Sequence, residues 1–297
     1  MKKKEIFFGA ATALITPFLD GEIDYRALSA LIDRQIDEGI GALVIGGTTG
    51  EAATLSDAER YALYAFCKEK TDGRAKLILG TGTNDTRAAV AHTKFAKMIG
   101  ADAALAVTPY YNKGTEEGIY RHYMMLAEAT EMPIILYNVP GRTGVNLGYR
   151  VLSRLAECEW VVGIKEASDS SDRLVRLSEF GDSLPLYAGN DSQIFTTLSL
   201  GGRGVISVIS NILPSLVVKM CDLFKDRAYS ESLTLQHKLL PIIDAMFIET
   251  NPTPVKYAAA RLGLARDELR LPLAPATEST KEKIDRLLPE FFPELGC

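Results

Sequence analysis

Cysteine is scarce: Cys67, Cys158, Cys221 and Cys297 stand far apart in a chain of 297 residues, with no C-x-x-C pair. That spacing excludes a disulfide framework and a cysteine-rich zinc module, and leads to the expectation of reduced thiols in the cytoplasm. Histidine is scarcer still, and His92, His122 and His237 fall in no metal-ligand spacing such as H-E-x-x-H. A catalytic metal is therefore not expected. Neither charge dominates: 33 Lys and Arg against 38 Asp and Glu leave a formal net charge of −5, with no long run of one sign after Lys2 to Lys4. This balance argues against nucleic acid as a partner. No G-x-x-x-x-G-K-[ST] loop occurs, and Gly39-Ile40-Gly41 precedes an apolar run instead of following one, so nucleotide fingerprints are absent. No apolar stretch reaches the ~18 residues of a membrane span, and no membrane partner is expected. Lys2 to Lys4 followed by Ile6 to Phe18 has the outline of a signal peptide, yet Glu5, Thr12 and Thr16 interrupt it. A buried first strand is the better expectation.

What is present is apolar material in short runs: 47% of the residues are hydrophobic and 24% charged, enough for a full core and a charged surface. The strand candidates are Gly9 to Thr16, Ala42 to Gly46, Lys76 to Gly80, Ala103 to Val107, Ile134 to Val139, Val161 to Lys165, Leu186 to Gly189 and Gly204 to Val208. Most lack polar alternation, as strands covered on both faces do. Between them lie amphipathic segments. Tyr25 to Glu38 carries Leu28, Leu31, Ile32, Gln35 and Ile36 on one face behind Asp24 as N-cap, and Ser56 to Lys70 opens with the capping-box pair Ser56 and Glu59. Asn84 to Met98 and Glu116 to Ala129 continue the series. About eight such units predict a (β/α)8 TIM barrel, with a doubly wound sheet as the second choice. From about Asp222 only helices follow: Tyr229 to Phe247, Thr253 to Leu262 and Glu278 to Leu288, with Pro252 and Pro254 in a turn and a first helical turn. The expected division is a catalytic barrel over 1–224 and a C-terminal helical region over 225–297.

In such barrels the reactive groups gather just past the carboxyl ends of the strands. Those positions hold Gly46-Gly47-Thr48-Thr49-Gly50-Glu51, Thr108-Pro109-Tyr110-Tyr111-Asn112, Tyr137-Asn138-Val139-Pro140-Gly141-Arg142, Gly163-Ile164-Lys165-Glu166, Gly189-Asn190-Asp191 and Ile206-Ser207. Lys165 ends an apolar strand, where loss of water favours the neutral amine needed for Schiff-base chemistry. A lysine snorkelling from a strand end into water fits the same spacing. Tyr137 on the adjacent strand is a candidate proton shuttle, or else a core tyrosine with a satisfied hydroxyl. Thr48 and Thr49, between glycines, offer hydroxyls and turn amides to a carboxylate, and a plain glycine turn is the competing explanation. Arg142 has the fork geometry for a carboxylate, although most loop arginines are only solvated.

Taken in order, Gly47-Thr48-Thr49-Gly50-Glu51, Tyr137-Asn138-Val139-Pro140-x-Arg142-Thr143-Gly144 and Gly163-Ile164-Lys165-Glu166 make the chain resemble the dihydrodipicolinate synthase family. The resemblance continues in Gly201-Gly202-Arg203-Gly204-Val205-Ile206-Ser207-Val208 and Asn251-Pro252-Thr253-Pro254-Val255-Lys256. It implies condensation of pyruvate with L-aspartate 4-semialdehyde in the diaminopimelate route to lysine, with no metal and no organic cofactor. Lys165 would form the pyruvate imine, Tyr137 would shuttle protons, and Thr48 would link Tyr137 to Tyr111 reaching in from a partner subunit. Thr49 would hold the pyruvate carboxylate, Arg142 the carboxylate of the semialdehyde, and the Ile206 carbonyl would face the imine. Gly189 and Asn251 belong with these substrate-binding residues on the same resemblance. It also implies a homotetramer, a dimer of tight dimers.

Two rival readings share the pattern. N-acetylneuraminate lyase and the 2-keto-3-deoxy-sugar aldolases would keep the lysine and tyrosine, but Arg142 and the threonine pair suit a short substrate with its own carboxylate. A non-catalytic binding protein on the same barrel would have no need of Lys165, Tyr137, Thr48 and Tyr111 together. Regulation is where the sequence departs from the family. In its feedback-inhibited members lysine binds at the tight-dimer interface, with a glutamate at the position matching Ala88 and a histidine at that matching Arg60. Asn84 and Tyr110 remain, and Asp57 stands near as a substitute carboxylate. Weak or absent inhibition by lysine is the expectation.

Overall fold

Parallel neighbours cannot be joined by a hairpin, so each apolar run must be followed by a crossover, and the amphipathic helices supply it. The structure, a computed structural model, describes residues 2–296; Cys297, one of the four thiols, lies outside them. Strand β1 (Gly9–Ala13) leads into a short antiparallel hairpin, β2 (Phe18–Leu19) and β3 (Glu22–Ile23). Then come β4 (Ala42–Ile45), β5 (Lys76–Gly80), β6 (Ala103–Val107), β7 (Ile134–Asn138), β8 (Val161–Glu166), β9 (Leu186–Ala188) and β10 (Gly204–Ser207). Apart from the hairpin, the strands close into a barrel in the order β1-β10-β9-β8-β7-β6-β5-β4. Closure runs through β1 and β4, with Ala11 beside Ala42 and Ala13 beside Val44. A doubly wound sheet has two open edges, so this pairing rules it out.

The crossovers are α1 (Tyr25–Asp37), α2 (Asp57–Thr71), α3 (Thr86–Met98), α4 (Glu116–Thr130), the short α5 (Pro140–Thr143) with α6 (Tyr149–Ala156), α7 (Ser171–Ser178) and α8 (Ile194–Ser199). Asp24 caps α1 by accepting from the amides of Arg26 and Ala27, and Ser56 with Glu59 forms the expected capping box on α2. Helix α3 starts two residues later than anticipated, because the Asp85 side chain takes the Arg87 amide and ends the loop there. The first strand stops at Ala13 instead of Thr16: the Ile15 amide turns to the Asn211 side chain, and Pro17 has no N–H for a ladder. The β2–β3 hairpin was not anticipated.

Two apolar layers result. Outward strand residues such as Leu43, Ile134, Leu136 and Ile164 pack under the helices. Inward residues, among them Val44, Leu105, Ile135, Tyr137, Tyr187 and Ile206, fill the barrel. Every barrel-strand residue except Lys76 and Val107 is buried, which is why polar alternation is missing from the sequence. Helix α9 (Pro214–Lys225) packs on β1. The C-terminal helices α10 (Tyr229–Ala245), α11 (Thr253–Arg261) and α12 (Glu278–Leu287) follow, α10 against α9 and α12 against both α10 and α11. Among the described residues no helix is long and apolar enough to cross a membrane.

Candidate active site

Alternation along β8 decides which charged residue enters the barrel. Ile164 packs outward, so Lys165 turns inward and Glu166 outward again. In register, Lys165 is flanked by Tyr137 on β7 and Tyr187 on β9. The two tyrosines differ in what their hydroxyls do. Tyr187 stacks on Phe7 and donates to the Phe7 carbonyl at 3.0 Å, and burial pushes its pKa up. It is committed to the core. Tyr137 instead lines a cavity of about 510 Å³, and the Lys165 ammonium sits 4.4 Å over its ring. Lys165 is itself only 4% exposed.

The same cavity is walled by Thr48, Tyr110, Arg142 and Asn251. Thr48 comes from the turn after β4, whose shape is local: Gly46 has φ +65°, and a Cβ there would collide with the Tyr64 ring. Tyr64 cannot withdraw, because its hydroxyl donates to the Gly80 carbonyl at 2.5 Å. The amides of Gly50, Glu51 and Ala52 close back on Gly47 and Thr48 carbonyls at 3.1–3.3 Å, and Thr16 donates to the Gly50 carbonyl at 2.8 Å. Thr49 is buried behind the wall and accepts from the Asn251 amide nitrogen at 3.0 Å. Arg142, on α5, donates to the Asn251 carbonyl at 2.8 Å. A wider depression of about 1040 Å³ meets the first cavity along Arg142, Asn251, Pro272 and Leu273.

The structure thus gathers Thr48, Tyr137, Arg142 and Asn251 at one cavity, with Lys165 and Thr49 directly behind its wall. Ile206 lies deeper, inside the barrel on β10. Gly189 is buried with its amide on the Glu166 carbonyl at 2.6 Å, and lines neither depression. Tyr111 stands outside: it is 88% exposed, with φ +70°, while the adjacent Tyr110 turns inward. Within one chain, Thr48 therefore does not bridge Tyr137 to Tyr111.

Sequence reading assigned no role to three clusters of buried polar side chains that brace this site. Asn138 and Glu166, register partners on the outward side of β7 and β8, hydrogen-bond at 2.9 and 3.0 Å. Glu166 also takes the Ser168 amide and the Arg173 guanidinium, so the strand ends bearing Tyr137 and Lys165 are clamped from behind. Asp191 accepts the amides of Val208 and Ile209 just past β10; burial pushes its pKa up, against the pull of Ser207, these amides and Lys165. Glu51 and Lys256 form an ion pair at 2.5 Å with neither side chain exposed. Burial lowers the Lys256 pKa and Glu51 opposes it. Removing one partner of such a pair costs about 3–5 kcal/mol, since the other charge is left buried alone. The available signal was a charge at an outward position of a strand covered by helices, where a buried charge is tolerated only if paired.

At its far end the cavity reaches Ala52, Asp57, Arg60, Ala88 and His92. Arg60 donates to the Ala52 carbonyl at 2.7 Å and to the Tyr64 hydroxyl at 3.3 Å, and His92 pairs with Asp57 at 3.0 Å. Asn84 is not among the lining residues.

Comparison with known proteins matches the geometry. Residues 6–290 fit the model of the dihydrodipicolinate synthetase family. The chain is 44% identical over 287 residues to the 4-hydroxy-tetrahydrodipicolinate synthase of Fervidobacterium nodosum, covering 95% of this chain and 98% of that one. The dihydrodipicolinate synthase of Thermotoga maritima superposes with a TM-score of 0.94 at 41% identity, over 96% of this chain and 99% of that one. The Acinetobacter baumannii dihydrodipicolinate synthase complexed with pyruvate gives 0.94 at 41% identity, over 96% and 98% of the two chains.

Proposed function

The chain belongs to the dihydrodipicolinate synthetase family, and from that membership we propose how its residues divide the condensation of pyruvate with L-aspartate 4-semialdehyde. The Lys165 amine adds to the pyruvate carbonyl and expels water, giving an imine that acts as an electron sink. A methyl proton leaves, and the resulting enamine carbon bonds to the aldehyde carbon, whose oxygen takes up a proton to become the ring hydroxyl. The amine carried by the semialdehyde then attacks the imine carbon, closes the ring and releases Lys165. The product is 4-hydroxy-tetrahydrodipicolinate.

Tyr137 moves protons to and from these intermediates, relayed through Thr48 to Tyr111 of a neighbouring subunit. Thr49 and the amides of Thr48 and Thr49, which the turn does not consume, hold the pyruvate carboxylate. Arg142 receives the carboxylate of the semialdehyde, and the Ile206 carbonyl faces the imine. Gly189 and Asn251 complete the pocket. Holding both carboxylates aligns the reacting carbons, which is where much of the rate gain arises. The carrying observation is the buried Lys165 lying over Tyr137 at the back of a cavity ringed by Thr48 and Arg142. The exposed, left-handed Tyr111 supports assembly into tight dimers, paired as a homotetramer. The enzyme works in the cytoplasm, where Cys67 and Cys221, buried free thiols, stay reduced. A coupled assay with pyruvate and aspartate semialdehyde, run beside N-acetylneuraminate cleavage, tests the substrate: turnover confined to the second would overturn it.

A further inference from the structure

Glu51 closes the turn that carries Thr48 and Thr49, and it does so with φ 53°, in the left-handed region that non-glycine residues seldom occupy. Such a conformation persists only where the surroundings enforce it. Here the residue's own side chain adds to the backbone hydrogen bonds that close the turn. One carboxylate oxygen meets the Lys256 ammonium at 2.5 Å and the other accepts the Arg270 amide at 3.1 Å. Both charged side chains are fully buried. Both cations also lie over the Phe18 ring, the Lys256 ammonium 4.2 Å and the Arg270 guanidinium 4.5 Å from its centre.

Lys256 is in α11, and Asn251 lies just before that helix. Asn251 grips Thr49 while Lys256 grips Glu51, so one short stretch of the C-terminal region holds both sides of Gly50. We propose that the buried Glu51–Lys256 pair is a positioning element for pyruvate capture, setting the Thr48–Thr49 turn at the distance from Lys165 that imine formation requires. The proposal rests on Thr49 and its turn amides holding the pyruvate carboxylate. Neither Glu51 nor Lys256 touches substrate. An apolar pair would fill the same space at less desolvation cost, whereas two opposed charges add a directional contact to the turn.

Four variants test this: Glu51→Gln, Lys256→Met, the two combined, and Thr49→Val. For each, the KM values for pyruvate and semialdehyde, kcat, the rate of borohydride-trapped imine at subsaturating pyruvate, and Tm are measured. Both single charge variants should raise the pyruvate KM about tenfold and slow imine trapping by a similar factor, leaving the semialdehyde KM within about twofold. The combined variant, with no unpaired buried charge, should regain much of the lost Tm yet keep the raised pyruvate KM. Recovery of both would make the pair purely structural and overturn the proposal. If Lys256→Met does not fold, Glu51→Gln decides alone, and a parental pyruvate KM at any Tm overturns it. Thr49→Val separates the premise: an unchanged pyruvate KM there sinks the role of Thr49, whereas a raised one beside an unchanged Glu51→Gln sinks only the positioning role.

Discussion

The ammonium of Lys165 lies 4.4 Å over the ring of Tyr137, its register partner on the neighbouring strand. The proposed role of this amine is imine formation, and its burial beside that ring is the observation behind it. Borohydride reduction in the presence of pyruvate should therefore add mass to the peptide containing Lys165. An adduct on Lys256 instead would overturn the assignment. Lys165→Arg should lose at least about a thousandfold in kcat, because a guanidinium stays protonated and forms no imine.

Tyr111 is exposed in the single chain while Thr48 and Tyr137 line the cavity. If a partner's Tyr111 completes the relay, two inactive proteins can complement each other. Mixing Tyr111→Phe with Lys165→Ala chains should restore part of the parental activity in hybrid dimers. Absence of recovery after verified subunit exchange would show that each chain works alone.

Arg142 holds the Asn251 carbonyl, and Asn251 holds Thr49, so the two proposed carboxylate sites are joined by two hydrogen bonds. Arg142→Lys keeps a donor for Asn251 but loses the fork. It should raise the semialdehyde KM about tenfold or more while borohydride trapping of pyruvate proceeds at the parental rate. Arg142→Ala should impair both steps. Equal loss of both in the lysine variant would mean that the residue only braces the turn.

Strand positions and the residues at their carboxyl ends were legible because each depends on local sequence: an apolar run, a cap, a glycine turn. Lys165, Tyr137, Thr48 and Arg142 all sit at such ends. The bracing was not legible. Glu51 and Lys256 are 205 positions apart, as are two sides of a contact that only the return of the C-terminal helices creates. Asn138 and Glu166 meet through strand register, which no spacing along the chain reveals. The β2–β3 hairpin, two residues per strand, is too short to show a period.

His122 on α4 is buried, its Nδ1 paired with the Thr86 hydroxyl at 2.9 Å; burial pushes its pKa down to about 4, against the pull of Asp85. The unfolded chain then binds a proton below about 6.5 that the folded chain refuses until about 4. Stability should be full above that window and fall through it as pH drops, by about 3 kcal/mol in all. Glu59, held down to about 2 chiefly by Arg270, loses its contribution only below about 4.5, so above that pH the decline belongs to His122. His122→Asn, which keeps a partner for Thr86, should flatten the decline between pH 6.5 and 4.5 in Tm or urea titrations. An equally steep decline in the variant would assign it to another group.

On the family resemblance, feedback by lysine would act where Ala88 and Arg60 both line the cavity. An incoming ammonium would need a carboxylate there. Ala88 supplies none. Asp57 is the natural substitute, and one of its carboxylate oxygens is shared with His92 at 3.0 Å. Arg60, anchored on the Ala52 carbonyl at 2.7 Å and on the Tyr64 hydroxyl at 3.3 Å, is held in place as a like charge. Losing one charge-assisted contact from a desolvated site costs about 2–5 kcal/mol, more than tenfold in affinity, and fixed repulsion adds to that. Half-inhibition by lysine in the coupled assay should therefore lie above roughly 1 mM, an affinity no stronger than about −4 kcal/mol. Ala88→Glu with Arg60→His should lower it by restoring the acceptor and removing the opposing charge. Parental half-inhibition well below that concentration would mean that lysine finds its carboxylate elsewhere, and that Arg60 swings aside to admit it.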